Sequence, residues 1–182
     1  MKKIIVLLTM LMVVMVCNAQ EKKDVTKFMG IPVDGTKSEM IQKLKNKGFH
    51  EVEVADDFLE GEFNGYNVLL QIKTYKEKVS AIVVVIGGVT GYDESWAKII
   101  FNNLSKQFER SLKYVTCKSN LIWEDENISY EMLVNSKTYM NMYIQNGDKM
   151  KPVCVSMVGI SDEFNINIIY VNRYNFPIDD DL

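Results

Sequence analysis

The chain has 182 residues, with 21 Lys and Arg against 24 Asp and Glu, 47% hydrophobic residues, one His, three Cys and three Pro. That balance excludes a disordered chain, a collagen-like repeat and an array of large domains. A net charge of -3 also argues against a protein that grips nucleic-acid phosphates, which needs a basic excess. Length and apolar content suffice for one core, or for two small ones fused.

Residues 1–19 read as a signal peptide. Lys2 and Lys3 form a positive start, Ile4 to Val16 is apolar apart from Thr9, and Cys17-Asn18-Ala19 places small residues at the -3 and -1 positions of a cut. The apolar run is short for a bilayer span, which takes about 20 residues. Lipidation at Cys17 is the second reading, because Val16 stands where Gly, Ala or Ser normally precedes such a cysteine. The expected mature chain is 20–182, a single α+β domain in the periplasm or outside the cell. No transmembrane segment is expected in it, since its longest apolar stretch, Val79 to Val89, contains Ser80 and Gly87-Gly88.

The first expected element is a helix opened by Asp34-Gly35-Thr36. Thr36 and Glu39 have the spacing of a capping box, Met40, Ile41 and Leu44 share a face, and Gly48 supplies a left-handed stop. Phe58 to Phe63 and Tyr66 to Tyr75 flank Asn64-Gly65 and predict a tight hairpin. Val79 to Ile86 follows the Lys76-Glu77 turn and is apolar on both faces, as a strand in the middle of a sheet would be.

Gly87-Gly88 and Gly91 punctuate the middle of the chain. A longer helix is then predicted from Asp93, with Trp96, Ile100, Leu104, Phe108 and Leu112 recurring every four residues, joined by Ile99 and Phe101. Strands are expected at Asn120 to Trp123, Ser129 to Val134, Thr138 to Gln145, Val153 to Ile160 and Phe164 to Asn172. Asn146-Gly147 and Ser161-Asp162-Glu163 supply turns between the last three.

A helix followed by a meander is thus stated twice, as pseudo-repeats over 30–88 and 89–182 with little residue identity between them. The expected fold class is α+β, two tandem repeats of helix plus antiparallel meander, with the helices on one face of the sheet and the other face partly open.

This pattern in an exported chain resembles the β-lactamase-inhibitor-protein-like architecture. The segment Gly30-Ile31-Pro32-Val33-Asp34-Gly35-Thr36-Lys37-Ser38-Glu39 and the hairpin Gly61-Glu62-Phe63-Asn64-Gly65-Tyr66 also resemble small uncharacterised exported proteins of gut Bacteroidetes. Neither resemblance implies an activity or a catalytic residue.

The residues offer little chemistry. His50 is the single histidine, and no Gly-x-Ser-x-Gly elbow occurs, so a Ser-His or Cys-His nucleophile is not expected. Cys117 and Cys154 stand too far apart in the chain for a His/Cys zinc motif, and Gly87-Gly88-Val89-Thr90-Gly91 lacks the spacing and the Lys of a phosphate-binding loop. No cofactor or metal is expected. Asp56-Asp57 with Glu60 and Glu62, Glu124-Asp125-Glu126 and Asp179-Asp180-Asp181 could supply oxygen ligands to calcium or a pair of catalytic carboxylates. Charge runs at strand ends are more often simply solvated.

The expectation is a non-enzymatic binding module of the cell envelope, whose open sheet face docks an envelope or secreted protein or peptide. Its candidate binding row is Tyr139, Asn141 and Tyr143, set against Met140, Met142 and Ile144 on the other face of the strand. The alternative is a small hydrolase or calcium-binding protein using the carboxylates. Cys117 and Cys154 form a possible disulfide, since export would place both in an oxidising compartment.

Overall fold

The computed structural model describes residues 23–52, 57–160 and 163–176. The expected signal peptide with Cys17, Asp56, the Ser161-Asp162 part of the last turn and Asp179 to Asp181 lie outside the described residues. The fold is α+β: an eight-stranded antiparallel sheet with three helices packed against it.

The chain enters through a two-residue hairpin, β1 (Lys27–Phe28) and β2 (Ile31–Pro32), which turns at Met29 and Gly30 with positive φ at both. Two-residue strands carry no periodicity, so the sequence pattern gives no sign of this hairpin. It is held from a distance: Gln145 accepts from the Lys27 amide at 2.8 Å and donates to its carbonyl at 3.0 Å. Phe28 packs among Phe49, Phe63 and Tyr170 with ring centroids 5.1–6.4 Å away.

Helix α1 (Lys37–Lys45) starts where the sequence places it, with both arms of the Thr36–Glu39 capping box formed. Gly48, at φ 97°, donates to the Lys45 carbonyl and Phe49 to that of Leu44, the paired bonds that close a helix on a left-handed glycine. Met40 and Leu44 face the core.

The sheet runs in the order β3-β4-β5-β6-β10-β9-β8-β7, antiparallel at every junction. Its first four strands are β3 (His50–Glu51), β4 (Phe58–Phe63), β5 (Tyr66–Tyr75) and β6 (Lys78–Ile86). Asn64 and Gly65 both take positive φ, 55° and 79°, as the two-residue turn between β4 and β5 requires. Strand β6 is central, paired with β5 on one side and β10 on the other, in keeping with its apolar composition on both faces.

Helix α2 (Glu94–Arg110) begins with Asp93 capping the Trp96 amide at 3.0 Å. Its buried stripe is Ala97, Ile100, Phe101, Leu104, Ser105 and Phe108. Trp96 is 58% exposed and Leu112 lies beyond the helix, fully exposed, because Ser111 turns to extended geometry. The second set of strands is β7 (Tyr114–Lys118), β8 (Met140–Gln145), β9 (Pro152–Ile160) and β10 (Glu163–Val171).

Two expected strands are corrected. Asn120 to Trp123 is not a strand; it runs alongside α2, where Asn102 donates to the Ile122 carbonyl and accepts from the Ile122 amide, each at 2.9 Å. Ser129 to Val134 falls largely within a short helix, α3 (Ile128–Leu133). Asn127 caps the Tyr130 amide at 2.8 Å, and the Glu94 carboxylate accepts from the Ile128 and Ser129 amides at 2.8 and 3.3 Å. Those acceptors satisfy the amides that a first helical turn leaves open.

One core joins α1, α2 and the start of α3 to the sheet. Leu70, Val84, Ile168, Val155 and Asn141 form a cross-strand row over five adjacent strands, all five buried. Among the described residues no helix is long and apolar enough to cross a membrane.

Candidate functional site

Strand β8 and Tyr139 just before it carry the expected binding row, and the structure turns it inward. Tyr139, Asn141 and Tyr143 are buried on the face that α2 covers, so this row is no docking surface. Their polar atoms are spent inside the fold. Asn141 donates to the Ser105 hydroxyl at 2.7 Å and accepts from the Asn120 amide at 2.8 Å. Tyr143 donates to the Ser105 carbonyl at 3.3 Å and stacks on Phe108, ring centroids 4.8 Å apart. Tyr139 donates to Glu126 at 2.5 Å, and that carboxylate also pairs with Lys137. Burial raises the Tyr143 hydroxyl above its ordinary value; burial and then the Glu126 carboxylate raise that of Tyr139.

The residues alternating with that row face outward. Met140 and Met142 are more than a third exposed, and Ile144 is half-buried. They belong to a face that no helix covers. One of its cross-strand rows reads Phe58, Gln71, Val83, Ile169, Cys154 and Met142 from β4 across to β8. The next reads Glu60, Leu69, Val85, Asn167, Ser156 and Met140. The centre of the face is therefore largely apolar, interrupted by Gln71, Asn167 and Ser156, with Lys73 further along β5 on the same face and Glu60 on β4. At the β3–β4 rim His50 Nε2 lies 2.8 Å from Glu60 Oε1, beside a shallow cavity of about 440 Å³ lined also by Asn67, Leu69 and Val89. At the β7 rim Lys118 stands beside Met142.

The possible disulfide is not formed. Both cysteines are free, Cys117 exposed and Cys154 half-buried. Strand β8 lies between them: Cys154 pairs with Met142, which in turn pairs with Lys118. Two strand spacings set the Cα atoms about 10 Å apart, beyond the limit of about 7 Å for a bridge. Burial pushes the Cys154 thiol up to about 11.

The carboxylates disperse rather than converge. Asp57 pairs with Lys37 at 2.7 Å, Glu60 with His50, and Glu126 with Lys137 and Tyr139. Among the described residues no three His, Cys, Asp or Glu side chains are grouped so as to hold a metal ion. A second cavity, also about 440 Å³, lies beside Gly35 between the entering chain and α1, and its lysines Lys23, Lys27 and Lys43 are interleaved with Asp24 and Asp34.

No protein-family model, no curated protein and no solved structure matches the chain.

Proposed function

We propose that this is an exported, non-enzymatic binding module of the cell envelope that docks a protein or peptide on its open sheet face. The observation that carries the reading is the face itself: Phe58, Leu69, Val83, Val85, Ile169, Met140 and Met142 from adjacent strands, interspersed with Gln71, Asn167 and Ser156, with no helix over them. Contiguous apolar surface with a polar rim marks an interaction site rather than ordinary solvent-facing sheet. Met140 and Met142 suit the role, since unbranched thioethers adapt to a partner's contour. Export is supported by the leader sequence, Lys2-Lys3 followed by the apolar run to Val16 and the Cys17-Asn18-Ala19 cut.

The strand order supports reading the fold as two helix-plus-meander units, as in the β-lactamase-inhibitor-protein-like architecture. Strands β3 to β6 follow α1, strands β7 to β10 follow α2, and the two sets meet at the β6–β10 pair in mirrored order. Duplication of this kind widens a sheet without adding a layer, which leaves one broad face for recognition.

A photo-crosslinking amino acid at Met142, compared with one at Lys106 on the outer side of α2, tests the docking reading in the native envelope. The expected result is an adduct of defined mass from position 142 and none from 106. Equal labelling at both positions, or none at 142, overturns it.

A further inference from the structure

A cavity of about 190 Å³ opens on the helix-covered side of the sheet, between the end of α2 and the β4–β5 hairpin. Leu104, Phe108, Ile168 and Tyr170, all buried, form its floor, and Phe63 and Tyr114 wall it. Asn64 and Gln107, both exposed, and half-buried Ser111 stand at its mouth. The two larger cavities have charged linings, lysines with aspartates in one and His50 with Glu60 in the other. Among the described residues no charged side chain lines this one.

We propose that this cavity binds a small phenol, a single uncharged aromatic ring with one hydroxyl, its ring against the floor and its hydroxyl at the mouth. The inference is independent of the docking reading, which concerns the opposite face of the sheet.

Size and lining select the ring. An apolar cavity of about 150 Å³ is enough to take up benzene, so this one holds one ring with a small substituent and no second ring. The lining is also fixed in advance. Phe63 and Tyr170 each pack on Phe28 with ring centroids 5.1 Å apart. Phe108 stacks on Tyr143 at 4.8 Å and meets Tyr114 edge-on at 4.7 Å. Rings held in this way offer faces and edges to a further ring at little cost in ordering. A charged ligand would lose its water on such a floor and gain no partner there.

The mouth selects the hydroxyl. The Asn64-Gly65 turn and the last turns of α2 bring two amides together, and Asn64 Nδ2 donates to Gln107 Oε1 at 2.6 Å. That bond leaves an acceptor, Asn64 Oδ1, and a donor, Gln107 Nε2, without partners among the described residues. A phenolic hydroxyl can donate to the first and accept from the second. This orientation also excludes a peptide's tyrosine. With the hydroxyl at the mouth, the para carbon points to the floor, and the main chain attached there would have to pass through Leu104 and Ile168.

The test is an NMR titration of the full chain, labelled at its methyl groups, with phenol. Shifts of the Leu104 and Ile168 methyls should saturate with a Kd of about 1 mM or tighter. The methyls of Ile169, next in the chain but on the open face, should not move. Gln107→Leu, at an exposed helical position, should weaken phenol at least about fivefold and leave toluene, the ring without the hydroxyl, no weaker. Ser111→Trp, which sets an indole in the mouth, should weaken both at least about tenfold, with far-UV circular dichroism unchanged in each variant. Benzoate and N-acetyltyrosinamide should give no saturating shift. Absence of a saturating shift with phenol, or a Kd indifferent to both substitutions, overturns the proposal. Equal weakening of phenol and toluene by Gln107→Leu overturns it too, since the mouth would then not read the hydroxyl. Saturation by N-acetyltyrosinamide would assign the cavity to a side chain of a partner peptide instead.

Discussion

Asn141 of β8 and Ser105 of α2 form the hydrogen bond that ties the second helix to the sheet from inside the core, Nδ2 to Oγ at 2.7 Å with both side chains fully buried. Ser105 in turn donates to the Phe101 carbonyl at 2.8 Å, and Asn141 holds the Asn120 amide and, at 3.3 Å, its carbonyl. One carboxamide thus fixes three segments: the helix, the strand and the irregular stretch that runs alongside the helix.

Asn141→Ala should therefore cost about 2–3 kcal/mol, because it strands the Asn120 amide and removes the acceptor–donor pair with Ser105. Urea unfolding measures it. Ser105→Ala in the same background should show a coupling of about 0.5–1.5 kcal/mol in a double-mutant cycle. Strict additivity of the two changes would show that the bond does not carry the attachment.

Two glycines separate backbone strain from steric conflict. A Cβ on Gly65 would meet nothing within 4 Å, yet its φ is 79°; Gly65→Val should lose about 1–2 kcal/mol through the left-handed backbone alone. A Cβ on Gly61 would fall 2.5 Å from the Phe49 ring. Gly61→Ala should destabilise through Phe49, and pairing it with Phe49→Leu should recover part of the loss, whereas Phe49→Leu should do nothing for Gly65→Val. Urea midpoints of the four variants decide this.

Local chemistry was what the sequence made legible. Thr36–Glu39, Gly48, Asn64-Gly65 and Asp93 each act within a few residues of themselves, and each forms as the spacing predicts. The face of β8 was not legible. Alternation separates Tyr139, Asn141 and Tyr143 from Met140, Met142 and Ile144, but hydropathy alone would bury the methionines. The polar row goes inward because Ser105, Asn120 and Glu126, 36, 21 and 13 residues away, satisfy it. In the same way α3 depends on Glu94, 34 residues upstream of Ile128. A β-like stretch of sequence became a helix because its first amides found an acceptor there.

Glu94 makes that dependence visible to pH. Burial pushes its carboxyl up, but hydrogen bonds from the Ile128 and Ser129 amides, the Ser129 hydroxyl and Lys98 outweigh it and hold it below the ordinary 4.5. A carboxyl depressed in the folded state stabilises above its unfolded value and loses that contribution as pH falls through the folded one. Glu126, also held low, titrates in the same direction. Stability should therefore be level from neutral pH down to about 5 and decline below it, with Glu94→Gln flattening part of the decline. An unchanged slope in that variant would remove Glu94 as a source of it.

The free cysteines give a prediction with a count in it. In the unfolded, unreduced protein both Cys117 and Cys154 should titrate as thiols, since strand β8 holds them two strand spacings apart. In the native protein the two should differ in rate. Cys117 is exposed on β7 and should react with a disulfide reagent at a rate near that of a free thiol. Cys154 is half-buried in the open face, its thiol pushed up to about 11, so little thiolate is present at neutral pH and its reaction should be slow. Reading the rates in Cys117→Ser and Cys154→Ser assigns each phase. Loss of both thiols from the unreduced chain without a change of mass beyond two hydrogens would mean the two strands can come together, and would overturn the strand order between them.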